Sequence, residues 1–281
     1  MEKIDNLLTY VDVGCRWGIN KRMDKSKRYN FDRWFSNISY IGFEPAIDEF
    51  NKLNESKKDN EMYYPYALWN SNDEKRRDFY ICNETDWNSF YEPLPSKLHS
   101  IKESIKVKDT SKKQMYRLDS IIKHMDFIKI DVEGSELNVL KGCGHVLDTT
   151  LGINVEACAL QIRKNQPTFE EIYKYLIDRD FLLFDIEKKM YYRTANLVEG
   201  RGQLIWGDFI FLKNYETLDD SDMIKKLLFI ALGLKFFDYA LAIAKDIGIY
   251  VEEVERIIED YSDGNSRAKR IYVDDYKFWN G

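Results

Sequence analysis

Three histidines, four cysteines and five prolines are all that this chain of 281 residues contains, and no two cysteines form a CxxC pair. Cys15, Cys82, Cys143 and Cys158 are widely spaced, which indicates neither a zinc site nor a disulfide framework. A reducing cytoplasm is the expected compartment. Basic charge is not in excess either: 42 Lys and Arg stand against 48 Asp and Glu, a net charge of -6. An acidic chain has no general attraction for phosphate backbones or anionic lipid, so nucleic acid is not an expected partner. Nor is there an uninterrupted membrane-length apolar run. The stretch from Leu227 to Ala244 is broken by Lys235 and Asp238 and reads as packed helix. The amino terminus, MEKIDNLLTYVDVG, carries acids and enters a strand almost at once, which leaves no room for a signal peptide. His99, His124 and His145 all fall away from predicted strand ends and read as surface or capping residues.

What is present is an alternation of short β-rich apolar runs with longer helical patterns, the signature of parallel βαβ units. Strands are expected at Thr9 to Val13, Ile38 to Phe43, Met62 to Ala67, Phe127 to Asp131, Gly152 to Glu156, Phe181 to Asp185 and Phe209 to Leu212. That set predicts an α/β fold with a doubly wound, mostly parallel, seven-stranded sheet. The segment from Asn70 to Met125 is too long for a plain crossover and predicts an inserted hairpin and loop, then a short helix over Leu118 to His124. The insertion includes a lysine-rich stretch, Lys97 to Lys113, which reads as a solvated loop or, more sharply, as a contact for a phosphorylated acceptor. From Leu218 onward the spacing is purely helical, interrupted at Gly233, and the chain ends in the aromatic tail KFWNG. The expected division is a main domain over 1–216 and a small C-terminal helical appendage over 217–281. The appendage is expected to pack on the main domain or to offer a surface to a second copy.

Three phrases carry chemistry. VDVGCRWG places Asp12 near a strand end and Gly14 and Gly18 in the turn, where glycine admits positive φ and close approach of a ligand. IGFEP ends the next strand on Glu44, whose carboxylate can accept both hydroxyls of a ribose or simply precede a surface turn. A nicotinamide enzyme would use the same two features. IKIDVEGSE then sets Asp131 and Glu133 at a strand end before Gly134 and a helix. Paired carboxylates there suit an ammonium group or a proton acceptor better than a nicotinamide ring.

These phrases in this order, with RLDSI and KIDVEGSELNVLKG the most specific parts, resemble the FkbM family of S-adenosylmethionine-dependent methyltransferases from about Tyr10 to about Leu212. The resemblance implies a class I methyltransferase-like fold with S-adenosylmethionine as cofactor. By the same resemblance, Asp12, Gly14 and Gly18 form the cofactor loop and Glu44 holds the ribose. Ala67 and Leu68 line the adenine pocket, and Asp131 lies near the methionine moiety. NSFYEP at Asn88 to Pro93 is similar to the family's serine-containing loop, with Asn88 where a second serine is usual.

The acceptor implied is a hydroxyl oxygen on a glycan or other small metabolite, whose proton a base must remove. Glu133 and Glu156 are the candidates by strand position. Each also has a structural reading, Glu133 as a cap of the following helix and Glu156 as a partner of Arg163. Asp131, Glu133 and Glu156 could gather a divalent ion, although strand-end carboxylates more often bind ligand or loops, and no metal is expected. Trp69, Trp87, Tyr91 and Trp206 could face a sugar ring or fill the core. Two other readings stand beside this one: an NAD-dependent oxidoreductase, and a non-catalytic interaction protein on a methyltransferase fold.

Overall fold

The computed structural model describes residues 3–18, 29–72, 76–98, 101–193 and 201–265. His99 and the KFWNG tail lie outside the described residues. The strands are β1 (Ile4–Val13), β2 (Phe35–Phe43), β3 (Glu61–Tyr64), β4 (Ala67–Leu68), β5 (Arg77–Cys82), β6 (Val107–Lys113), β7 (Met115–Tyr116), β8 (Phe127–Ile130), β9 (Gly152–Cys158), β10 (Phe181–Tyr191) and β11 (Gln203–Lys213). The α-helices are α1 (Phe31–Trp34), α2 (Ile47–Glu55), α3 (Glu136–Gly142), α4 (Phe169–Ile177), α5 (Ser221–Gly233), α6 (Phe237–Ile247) and α7 (Val251–Asn265).

Seven strands form one sheet in the order β10-β11-β9-β8-β1-β2-β3. All pairings from β3 to β9 are parallel, and β11 alone runs against its neighbours β9 and β10. The predicted doubly wound sheet is therefore present, and each expected strand falls in it. Because successive side chains alternate between faces, β1 sends Leu8 and Tyr10 into one core and Val11 and Val13 into the other. β11 does the same with Ile210 and Leu212 against Phe209 and Phe211. The second of these cores is covered by α3 and α4. The first is covered by α1 and by α5 to α7, with Leu227, Leu228, Phe229 and Ile230 all fully buried. The C-terminal helices thus complete the hydrophobic cover of one sheet face, and Lys226 of α5 pairs with Asp126 before β8 at 2.9 Å. No helix among the described residues is long and apolar enough to cross a membrane.

The predicted inserted hairpin is the antiparallel pair β5 and β6. Two other expectations change. The strand expected over Met62 to Ala67 ends at Tyr64, where Pro65 lacks the N–H a ladder needs; Ala67 and Leu68 instead pair with Met115 and Tyr116. The helix expected over Leu118 to His124 is a single 3-10 turn, Leu118–Ser120. Side chains take up its local polar groups: Ser120 Oγ donates to the Arg117 carbonyl at 2.7 Å, Arg117 pairs with Asp119, and the Arg117 N–H donates to Asn72 Oδ1 at 2.6 Å. Such bonds compete with helix propagation.

Candidate active site

In the sheet order, β1 is flanked by β2 and β8, so the chain winds in opposite directions from β1 and leaves a crevice beyond the carboxyl ends of these strands. A cleft of about 270 Å³ occupies that crevice. One wall is the turn after β1, with Gly14, Arg16 and Trp17, and another is Phe43 to Ala46 at the end of β2. Tyr66, Ala67 and Leu68 close one end; Asp131, Glu133 and Glu156 close the other. The insertion contributes Phe79, Thr85, Asp86, Asn88 and Phe90 as a cover.

Gly14 is required by sterics. Its φ is +85°, and a Cβ there would collide with the Asp131 carbonyl oxygen, so only glycine lets the β1 turn press against the end of β8. Its N–H and that of Cys15 both donate to the Phe43 carbonyl, at 2.9 and 3.3 Å, tying the turn to β2. Gly18 does not line the cleft; its N–H closes the turn onto the Cys15 carbonyl at 2.7 Å. Asp12 is buried in β1 beneath the turn and likewise is not a lining residue. Glu44 is buried, with Oε1 accepting the Ala46 N–H at 2.7 Å ahead of α2. Arg16 reaches from the turn to Asp86 at 3.3 Å and Glu49 at 3.8 Å, linking the β1 loop to the insertion.

At the far end three carboxylates converge. Asp131, Glu133 and Glu156 have oxygens within 4.8 Å of one another. A hard divalent ion accepts such a spacing, yet two of the three already face cations: Asp131 pairs with Lys129 at 3.0 Å and Glu133 with Arg163. The structural alternatives weighed for these acids change here. The Arg163 guanidinium goes to Glu133, not Glu156, and no side chain caps the helix; Glu136, its first residue, reaches back so that Oε1 accepts the N–H groups of Val132 at 3.1 Å and Gly134 at 2.9 Å in the preceding turn. Glu133, three residues earlier, takes a left-handed φ of 60° in the turn, and its carboxylate is held by Arg163.

That backbone conformation costs a non-glycine residue about 1–2 kcal/mol. Ser89 holds it: its Oγ donates to the Glu133 carbonyl at 2.6 Å and accepts the Tyr91 N–H at 3.0 Å. Asn88, where the resemblance leads one to expect serine, accepts the Cys82 N–H at 2.8 Å and pins the same loop to β5. The roles of Ser89 and Arg163 were invisible to sequence reasoning, since the partners lie 44 and 30 residues away.

Burial pushes the Glu133 carboxyl up to about 7, with Arg163 pulling it down and Asp131 and Glu136 pushing it up. Burial also raises Glu156 well above the usual carboxylate range, and Asp131, Glu133 and Asp208 add to the rise. Asp208 stands directly across from Glu156 in the β9–β11 pairing. No ion pair or side-chain hydrogen bond holds Glu156 among the described residues. A carboxyl with its proton affinity raised in this way, at a cleft wall, is placed to accept a proton from a bound ligand.

The aromatic residues separate into two groups. Trp69 packs with Phe90 and Tyr91 beneath the insertion, whereas Trp87 and Trp206 meet edge to face with centroids 5.8 Å apart. His124 contacts Asp126 at 3.0 Å, on the opposite end of β8 from the cleft, and His145 lies in a 3-10 turn.

A model of the methyltransferase FkbM domain matches residues 22–183 of the chain, which is more than half of it. No curated protein matches. Among solved structures the chain is similar to a magnesium protoporphyrin IX methyltransferase from Synechocystis with bound SAM, at 8% identity over 75% of this chain and 71% of that one, TM-score 0.40. It is also similar to a precorrin-6y C5,15-methyltransferase from Geobacter metallireducens, at 11% identity over 75% and 83%, TM-score 0.35. A third is a SAM-dependent methyltransferase from Anabaena variabilis, at 12% identity over 74% and 77%, TM-score 0.35. These distant likenesses carry no argument about an acceptor.

Proposed function

Because the chain belongs to the FkbM methyltransferase family, we propose that it moves the methyl group of S-adenosylmethionine to a hydroxyl oxygen of a glycan or other small hydroxylated metabolite. The observation that carries the oxygen half of this reading is the carboxyl cluster at the cleft end, where Glu156 has raised proton affinity and no cation of its own. Methyl transfer to oxygen needs an acceptor for the hydroxyl proton beside the methyl donor.

The residues suit the donor. Gly14 lets the β1 turn pack against the end of β8 at the cleft wall, Ala67 and Leu68 offer an apolar slot for an adenine, and Glu44 and Asp131 offer carboxylates for ribose hydroxyls and an ammonium group. When bound, S-adenosylmethionine supplies an electrophilic methyl whose bond to sulfur breaks as the new bond to oxygen forms. In this reading Glu156 takes the hydroxyl proton, Glu133 and its Arg163 partner orient the acceptor, and alignment supplies much of the rate. Glu156 must be deprotonated to act, so the rate rises with pH. Asp12 and Gly18 serve the cofactor loop from behind, by shaping the turn.

We assign the chemistry to residues 1–216 and a packing role to 217–281. The four cysteines, all free and buried, suit a reducing compartment such as the cytoplasm.

Calorimetric titration with S-adenosylmethionine, S-adenosylhomocysteine and NAD, repeated on Glu44→Ala, tests the reading. Binding of the first two, weakened by the substitution, is the expected result. Binding of NAD alone would turn the reading to an oxidoreductase, and binding of nothing by a folded chain would leave an interaction protein.

A further inference from the structure

The cleft does not end at the carboxylates. Glu133, Glu156 and Asp86 are shared with a second cavity of about 230 Å³, whose remaining walls are Trp87, Cys158, Ile162, Arg163 and Trp206. The two spaces thus meet along one acidic wall. Nothing in the binding of a methyl donor accounts for the far wall. Trp87 arrives from the 3-10 turn Thr85–Trp87 of the insertion and Trp206 from β11, and their rings stand at 87° to one another. Both are only partly buried, whereas Cys158 and Ile162 form a closed apolar floor.

We infer that this second cavity is the acceptor site and that it takes an uncharged, polyhydroxylated ring, laid on an indole face with its hydroxyls toward Glu133 and Glu156. The inference rests on the methyl-transfer reading above and adds to it a location and a charge. An indole suits the C–H face of such a ring, and the carboxylates suit its rim of donors.

The charge follows from a count of what faces the cavity. Among the described residues three acids line it, Asp208 stands across from one of them, Asp86 is paired with Arg16 of the neighbouring cleft, and the one lining cation is Arg163. Its side chain is 3% exposed and is taken by Glu133. A phosphate or a uronate would therefore meet carboxylates with no cation to spare among the lining residues, which is costly where water is partly excluded. The lysine-rich stretch of the insertion does not change this. Lys113 donates to the Pro45 carbonyl at 3.0 Å and Lys112 pairs with Asp78 at 3.3 Å, both away from this cavity. No lysine of that stretch is among the described residues that line either cavity.

The test uses the full chain saturated with S-adenosylhomocysteine and saturation-transfer NMR on methyl glycosides, hexosamines, hexose phosphates and a UDP-hexose. The expected result is transfer to one or more neutral glycosides and none to the phosphorylated sugars. Trp206→Ala is expected to weaken glycoside binding roughly tenfold, the order of one lost stacking contact, while S-adenosylhomocysteine still binds. Asp86→Lys, at a side chain 63% exposed, is expected to bring hexose phosphates into the binding range; it carries the charge argument alone should Trp206→Ala fail to fold. Preference for a phosphorylated sugar or a hexosamine overturns the inference, as does binding indifferent to Trp206 or no binding by any neutral glycoside. Failure of the wild-type chain to bind S-adenosylhomocysteine is a separate readout and strikes the cofactor reading instead.

Discussion

The two ends of β8 treat the same chemical group in opposite ways. At the amino end Asp126 is buried, and burial alone would raise its carboxyl. His124 and Lys226 at its Oδ1 and the Thr9 N–H at its Oδ2 outweigh that and hold it below the usual range. At the carboxyl end, Glu133 and Glu156 are gathered with Asp131 and Asp208, and burial with like charges raises both. Burial pushes all three upward, and only at Asp126 do the partners outweigh it. The first carboxylate is a tie between the sheet and α5. The others are held where a proton can move, and their mutual repulsion is a standing cost to the fold.

The largest expected break in this comparison is Glu156→Gln. Loss of a general base lowers kcat about 10²–10⁴-fold, read by release of S-adenosylhomocysteine. The same substitution should raise Tm, and more so as pH rises. A carboxyl whose folded pKa is raised binds more protons folded than unfolded, so its stability contribution falls from the unfolded value upward through the folded one. A Tm lowered at pH 8 would contradict the placement of Glu156 among like charges.

Asp126→Ala inverts the pattern. It strands Lys226 and the Thr9 N–H and should cost about 3–5 kcal/mol in urea unfolding, with activity per folded molecule kept. In the wild type the contribution of Asp126 is present above the unfolded carboxylate pKa and is lost as pH falls through its depressed folded value. Glu44→Ala comes next, weakening S-adenosylmethionine binding by about 1.5–3 kcal/mol by calorimetry. The smallest effect sharpens the carboxyl end: Ser89→Ala removes the donor to the Glu133 carbonyl and should cost about 1 kcal/mol of stability. A lowered kcat with unchanged cofactor affinity would locate that loss at Glu133.

Much of the architecture was legible in the residues because it rests on local patterns. Short apolar runs with glycine or acid at their ends mark strands feeding a ligand crevice, and all seven expected strands lie in the sheet. Element ends were less legible. The strand before Pro65 stopped where a ladder donor was missing, and the Leu118 segment closed on side-chain bonds within it and to Asn70 and Asn72. β10 runs on to Tyr191 beyond the expected Asp185, through a stretch of charges that its exposed edge position permits. Within the site, Gly14, Glu44, Ala67, Leu68, Asp131, Glu133 and Glu156 are brought to one cleft, while Asp12 and Gly18 support it from outside the lining.

The sequence by itself determined the order and type of the strands, the crevice beyond their carboxyl ends and the family, because alternation, strand-end glycine and carboxylate placement are properties of neighbouring residues. Tertiary structure alone decided that Arg163 neutralises Glu133 and leaves Glu156 among acids, that Ser89 holds the left-handed turn, and that Trp87 meets Trp206 beside them. These are encounters between residues far apart in the chain, and the forces that set proton affinity depend on distance in space, which no spacing along the sequence encodes.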